Sequence, residues 1–190
     1  MGGAKNYEEH LDNMFSASTE TSGREQPDVT GLIGQYAHGN EPSHHMAYLY
    51  NYVGAPHKTQ KIVLQIMDEQ YTHLPDGLSG NEDCGQMSAW YVLSAMGFYS
   101  VTPGLDYYTI GTPLFDKATI NLENGNAFTI VANNVSNDNI YIQSANLNGK
   151  IFEHSFIKHS DIIKGGSLVF EMGSSPSSWA RESIPYSAIT

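Results

Sequence analysis

The 190-residue sequence contains a single cysteine, Cys84, so it can form neither an internal disulfide nor a multi-cysteine zinc site. Basic residues are scarce as well. Only 9 Lys and Arg stand against 20 Asp and Glu, giving a net charge of -11, and a surface of that sign repels phosphate backbones, which argues against nucleic acid as a partner. No apolar run approaches the roughly 20 residues of a membrane-spanning helix, so no membrane span is expected. The opening stretch Met1-Gly2-Gly3-Ala4-Lys5 lacks the apolar core of a signal peptide, so no export signal is expected within the chain. The H-E-x-x-H zinc pattern, the D-x-[DN]-x-[DN]-G calcium loop and the Gly-rich phosphate loop are all missing too.

Aromatic residues are plentiful, with 12 Tyr, 7 Phe and 2 Trp. Such rings suit sugar faces as well as cores, although most are expected to be core. Helical periodicity in the first half gives way near residue 100 to short alternating runs, and we read two parts, 1–100 and 101–190, in an α+β chain. Tyr7, Leu11, Met14 and Phe15 mark one amphipathic helix. After a candidate N-cap at Ser43, the residues Met46, Leu49, Tyr50 and Val53 mark a second, which Gly54 and Pro56 stop. Ile62, Val63, Ile66 and Met67 mark a third. From Gln86 to Met96 apolar residues cover nearly every face, which predicts a helix buried on most sides and ended by Gly97. Strands are expected over 107–110, 118–122, 127–132, 139–144 and 167–172. Asn124-Gly125 and Asn148-Gly149 supply turn residues, and 160–163 forms a single helical turn.

Two loops place polar residues directly before apolar helices. His38-Gly39-Asn40-Glu41-Pro42-Ser43-His44-His45 can gather Asn40, Glu41, His44 and His45 around a small polar ligand; alternatively Ser43 is only a cap and the histidines are surface or satisfied core residues. Gly77-Leu78-Ser79-Gly80-Asn81-Glu82-Asp83-Cys84-Gly85-Gln86 carries two adjacent carboxylates, Glu82 and Asp83, at a helix start. They are either capping devices or functional groups. Cys84, beside a carboxylate and with no basic neighbour, is expected to be a small buried hydrophobe rather than a thiolate.

The first loop with Tyr48-Leu49-Tyr50-Asn51 after it, the run from Gly80 to Tyr91, then Gly97-Phe98-Tyr99, Pro103-Gly104 and Ile110-Gly111-Thr112-Pro113-Leu114-Phe115 together resemble the C-terminal signature segments of glycoside hydrolase family 92. Those are calcium-dependent exo-α-mannosidases that act with inversion on mannose-containing glycans. The resemblance implies helices of a partial (α/α)₆ barrel over 1–100 followed by an antiparallel β-sandwich-type sheet over 101–190. It makes Asp83 the general base, and Asn40, Glu41, His44, His45 and Glu82 binding residues, with Asn40 and Glu41 as calcium ligands. Some family members carry a second carboxylate two residues before the base, where this chain has Asn81.

The family's general acid is a glutamate in a pattern like E-G-N-A-W-Q-Y, and no such string occurs here. The resemblance therefore implies that the isolated chain is inactive, that it associates with itself or with the remaining barrel, and that the parent enzyme is periplasmic or secreted. Alternatives are a non-catalytic carbohydrate-binding or structural module derived from such an enzyme, and a different sugar-active enzyme on the same barrel, because fold alone does not set specificity.

Overall fold

The structure, a computed structural model, describes residues 2–23, 26 and 29–187. Helix α1 (Ala4–Ser16) buries Leu11 and Phe15, as the stripe requires. Next comes a small antiparallel hairpin that the sequence does not announce, β1 (Leu32–Ile33) paired with β2 (Tyr36–Ala37). Its strands are too short to show an alternation. What places it is Gly34, which turns with φ +60 hard against the end of α1, where any Cβ would meet the Met14 and Phe15 backbone. The Gln35 N–H then donates to the Met14 carbonyl at 2.8 Å.

The segment Met46–Val53 is a 3₁₀ helix rather than the α-helix its spacing predicts. Its buried residues, Ala47, Tyr48, Tyr50 and Asn51, fall in two pairs three apart, and a period of 3.0 stacks each pair on one face whereas 3.6 rotates them apart. Asn51 shows why this matters, because its buried amide donates to the carbonyls of Ile110 (2.8 Å) and Ser155 (3.0 Å) in the strand region. Gly54 ends the helix in the left-handed conformation, as expected. Ser43 is not the cap. His45 takes the N-cap position without a side-chain hydrogen bond, and Ser43 ends a separate 3₁₀ turn, Glu41–Ser43, which Asn40 caps by accepting the Glu41 N–H at Oδ1.

Helix α2 (Pro56–Gln70) begins on a proline, where no N–H is needed, and buries Val63, Ile66 and Met67. Gln60 reaches from it to accept the Ile142 N–H at 3.2 Å, another tie to the strands. Helix α3 (Gln86–Ala95) buries Met87, Trp90, Ser94 and Ala95. It is less enclosed than its composition predicts: Ser88 and Ala89 are exposed and Val92 is 55% exposed. Composition reports how apolar a helix is, not whether every face has a neighbour.

The remaining strands form two sheets. Antiparallel β3 (Phe98–Tyr99), β4 (Tyr107–Ile110) and β9 (Phe156–Lys158) make the smaller one. The larger runs in the order β5 (Lys117–Asn121), β6 (Ala127–Asn133), β10 (Gly166–Gly173), β7 (Tyr141–Leu147) and β8 (Lys150–Ile151). It is mixed rather than antiparallel, since β10 lies parallel to β6, with Gly166 opposite Phe128. The single-turn helix α4 (His159–Ile163) and the left-handed pair Gly165-Gly166 return the chain beside β6 in the same direction. β7 starts later and ends later than the expected 139–144 run because Ala145, Asn146 and Leu147 pair with Phe170, Val169 and Leu168, and a register shift between Glu171 and Met172 leaves Gln143 without an opposite number. Alternation on β6 and β10 sends Phe128, Ile130, Ala132, Leu168, Phe170 and Met172 inward to one apolar cluster. A second cluster, built on Phe15, Tyr36, Tyr48, Tyr50, Ile66 and Trp90, lies among the helices and beneath the two polar loops.

Candidate active site

The two polar loops meet. Gly80, at φ +86, sits so close to the other loop that a Cβ would strike the Gly39 carbonyl, while a Cβ on Gly39 would strike Thr30. Farther along, the Gln86 side-chain amide donates to His44 Nδ1 at 3.3 Å, and the Trp90 indole N–H donates to the His44 carbonyl at 3.0 Å. Residues forty positions apart are thereby held as one unit.

Within that unit the expected site residues fall into two groups. His44 is 1% exposed, and both its ring nitrogens are engaged, Nδ1 by Gln86 and Nε2–H by the His38 carbonyl at 3.0 Å. Glu82 is half-buried, and its carboxylate accepts from the Ser88 N–H (3.1 Å) and hydroxyl (2.8 Å), fastening the first turn of α3. Asp83 and Glu41 are exposed, and His45 is half-buried, with no hydrogen bond to any of the three side chains among the described residues. Asn40 caps the turn that follows it with Oδ1, and its NH₂ has no hydrogen bond among the described residues. The arrangement therefore presents a free carboxylate at Asp83 on one loop and a free carboxylate, ring and amide on the other.

Asp83 owes its setting to backbone geometry. Asp83, Cys84 and Gly85 have φ of +41, +59 and +92, a run of left-handed residues. Such a conformation is tolerated by Asp, easy for Gly and uncommon for Cys. The Glu82 carbonyl closes it by accepting from the Gly85 (3.1 Å) and Gln86 (2.8 Å) N–H groups. The same turn carries Cys84 to the surface, correcting the expectation that it is buried. The support beneath these loops leaves little trace in the sequence. Tyr36, His38, Tyr71 and Tyr99 carry no spacing signal, and His38 was visible only as the start of its loop.

Burial drives His38 strongly toward its neutral form, lowering its pKa to about 3, and neighbouring His44 adds to the effect. Burial lowers His44 also, against the opposing influence of its backbone bond and Glu41, and burial lowers His57. A histidine with a depressed folded pKa takes up protons more readily when unfolded. Its contribution to stability is therefore complete above pH 6.5 and is lost as pH falls toward 3. We expect melting temperature to drop between pH 7 and pH 5, with His38 alone accounting for about 2 kcal/mol at pH 5. A melting temperature independent of pH over that range would contradict the burial of neutral histidines.

Calcium takes six to eight oxygen ligands. Asn40 and Glu41 are adjacent oxygen donors, but Asn40 Oδ1 is partly committed to its cap, and among the described residues no group of three His, Cys, Asp or Glu side chains is placed to hold a metal. These residues do not make a complete calcium site.

The family model of the glycosyl hydrolase family 92 catalytic domain matches residues 1–174. The chain belongs to glycoside hydrolase family 92. Among solved structures it is similar to a family 92 α-mannosidase from Bacteroides thetaiotaomicron in complex with mannoimidazole, at 40% identity and TM-score 0.93 over 98% of this chain and 25% of that one. It is also similar to a family 92 inverting mannosidase from the same organism, at 40% identity and TM-score 0.83, covering 98% of this chain and 27% of the other. An uncharacterised secreted glycosidase of Arthroderma benhamiae is 34% identical over 145 residues, 74% of this chain and 19% of that protein. This family 92 chain thus spans about a quarter or less of its relatives' length.

Proposed function

We propose that this chain is the segment of an exo-acting α-mannosidase that supplies the general base and one side of the mannose subsite. The observation that carries the reading is the junction at Gly39 and Gly80, which brings the Asn40–Glu41 loop against the Asp83 loop while the Asp83 carboxylate stays free. It is supported by similarity to an inverting mannosidase at 40% identity.

In an inverting reaction a carboxylate removes a proton from water, whose oxygen bonds to the anomeric carbon. A carboxylic acid roughly 6.5–9.5 Å away meanwhile protonates the glycosidic oxygen as its bond to that carbon breaks. Asp83 takes the water proton. The acid is supplied by the portion of the family's catalytic domain that this chain does not span. Asn40, Glu41 and His45 face the sugar as hydrogen-bonding groups, while His44 and Glu82 hold those loops in place.

The same reading makes 1–100 part of an (α/α)₆ barrel and 101–190 the strand region of the family's sandwich architecture, a division supported by the two apolar clusters, which part near Phe98 and Tyr99. Calcium in the complete enzyme would draw on Asn40 and Glu41 together with ligands from outside this chain. Substrates are mannose-containing glycans, N-glycans among them, and the working compartment is periplasmic or extracellular, in line with the secreted relative.

To test the reading, this chain is grafted in place of the matching quarter of the Bacteroides α-mannosidase. We expect the graft to release mannose from an aryl α-mannoside, and a folded graft without activity would sink the proposal. The uncovered face of α3 has a further consequence. Leu74, Val92 and Tyr91 line an open apolar hollow of about 680 Å³ beside Tyr71 and Leu78, and we propose that the rest of the barrel covers it in the complete enzyme. Alone, the chain is expected to bind a hydrophobic dye or self-associate. A compact monomer without dye binding, by light scattering and fluorescence, counts against this.

A further inference from the structure

Beneath the two loops lies a chain of buried hydrogen bonds that takes no part in the hydrolytic steps above. The Tyr36 hydroxyl lies 2.8 Å from His38 Nδ1, His38 Nε2 lies 2.6 Å from the Tyr71 hydroxyl, and that hydroxyl donates to the Met87 carbonyl at 3.1 Å. The directions follow from chemistry. A carbonyl only accepts, so Tyr71 must donate to Met87 and its oxygen must accept from His38 Nε2–H. His38 Nδ1 is then bare and accepts from Tyr36. His44 obeys the same logic, its Nε2–H donating to the His38 carbonyl and its Nδ1 accepting from Gln86.

One pair of tautomers thus satisfies both rings. Tyr36, His38, His44 and Trp90 are each no more than 1% exposed, and Tyr71 is half-buried at the edge of the open hollow. The bonds run from the loop holding Asn40 and Glu41 to the first turn of α3.

We propose that His38 and Tyr71 are positioning residues that set the aim of Asp83 by clamping the start of α3 to the Asn40–Glu41 loop. The inference rests on the reading of Asp83 as the base. The Gln86 and Trp90 bonds to His44 tie α3 to the same loop, and the Tyr71 bond to the Met87 carbonyl is a further tie, made within the first turn of the helix. Among the described residues the Asp83 carboxylate makes no hydrogen bond, and its left-handed turn is closed by backbone bonds to the Glu82 and Asp83 carbonyls and by Glu82 holding Ser88. The direction of Asp83 therefore follows wherever the turn at Gln86–Ser88 sits. Met87, in the middle of that turn, is the residue Tyr71 grips. A displacement of about 1 Å at a reacting group can cost about a hundredfold in rate, so a clamp remote from the sugar acts on catalysis without touching it.

Tyr71→Phe is the informative variant, because it keeps the ring stacked on Trp90 (6.0 Å between centroids, 3° between planes) and removes only the hydroxyl. In the chain itself, hydrogen exchange is expected to quicken about tenfold at the Gly85, Gln86 and Met87 amides while β6 and β10 are unchanged. The slowly exchanging His38 Nε2–H resonance is expected to disappear. Uniform acceleration over the whole chain, or none at residues 85–87, would reduce the network to ordinary core support and overturn the proposal.

In the graft, the same variant should lower kcat about tenfold or more with KM little changed. His38→Gln, whose side-chain amide still donates to Tyr71, should keep more activity than His38→Ala. Full activity of Tyr71→Phe despite loosened amides also overturns the proposal. If Asp83→Asn leaves the graft active, the base assignment fails by itself, and the exchange measurement still decides whether the clamp exists.

Discussion

Asp83→Asn in the active graft should fold with a near-normal melting temperature and lose on the order of a hundredfold or more of kcat. The expectation rests on what Asp83 does not do. Its carboxylate makes no hydrogen bond among the described residues, so converting one oxygen to an amide removes no structural contact. Its φ of +41 is a conformation Asn adopts as readily as Asp, and no backbone strain is added. A general base is different. An amide does not take a proton from water at neutral pH, and that step is lost.

The neighbouring carboxylate provides the control. Glu82 holds the Ser88 N–H and hydroxyl, so Glu82→Ala should destabilise the chain by about 1 kcal/mol, the usual cost of losing a helix-start cap. Melting temperature and kcat measured on the same preparations separate the two roles. If Asp83→Asn lowers stability and activity in proportion, it is the cap. If the folded variant stays active, the base lies elsewhere.

The two carboxylates illustrate how much of this molecule the sequence made legible. Adjacent acids before a buried helix announce that something polar happens there, but capping and catalysis leave the same pattern. Only coordinates show that Glu82 turns inward to Ser88 while Asp83 turns out. Helices α1 and α2 were readable from apolar residues at helical spacing, and α3 from the apolar run between Gln86 and Met96.

The segment 46–53 was not, since eight residues fit 3.0 and 3.6 periods almost equally, and the choice is made by a distant demand, the Asn51 amide reaching Ile110 and Ser155. The strands were visible one by one. The parallel pairing of β6 with β10 was not, because alternation records which face of a strand is buried and says nothing of its neighbour's direction. The buried tyrosines and His38 beneath the site looked like core, and they are core. Their second property, a directed chain of hydrogen bonds, exists only in three dimensions.

The isolated chain should release no measurable mannose, even from an aryl α-mannoside whose leaving group needs little protonation. Asp83 can accept a proton from water, but general acid catalysis of the departing oxygen contributes about two to four powers of ten. The reading places that acid in the part of the family's domain that this chain does not span. Positioning is lost as well. Asn40, Glu41 and His45 line one side of a subsite, and a sugar held on one side is neither oriented nor desolvated, which removes the advantage of binding it at all.

The substrate is chosen to be generous to the opposing view. With a good leaving group the acid matters least, so failure there cannot be blamed on the aglycone. The comparison with the graft then divides the alternatives. A silent chain and an active graft leave Asp83 as one half of a catalytic pair. A silent chain and a silent, folded graft favour a carbohydrate-binding or structural module, which mannose binding without turnover would then support. Robust turnover by the chain alone would place a second proton donor within these 190 residues and overturn the division of labour proposed for it.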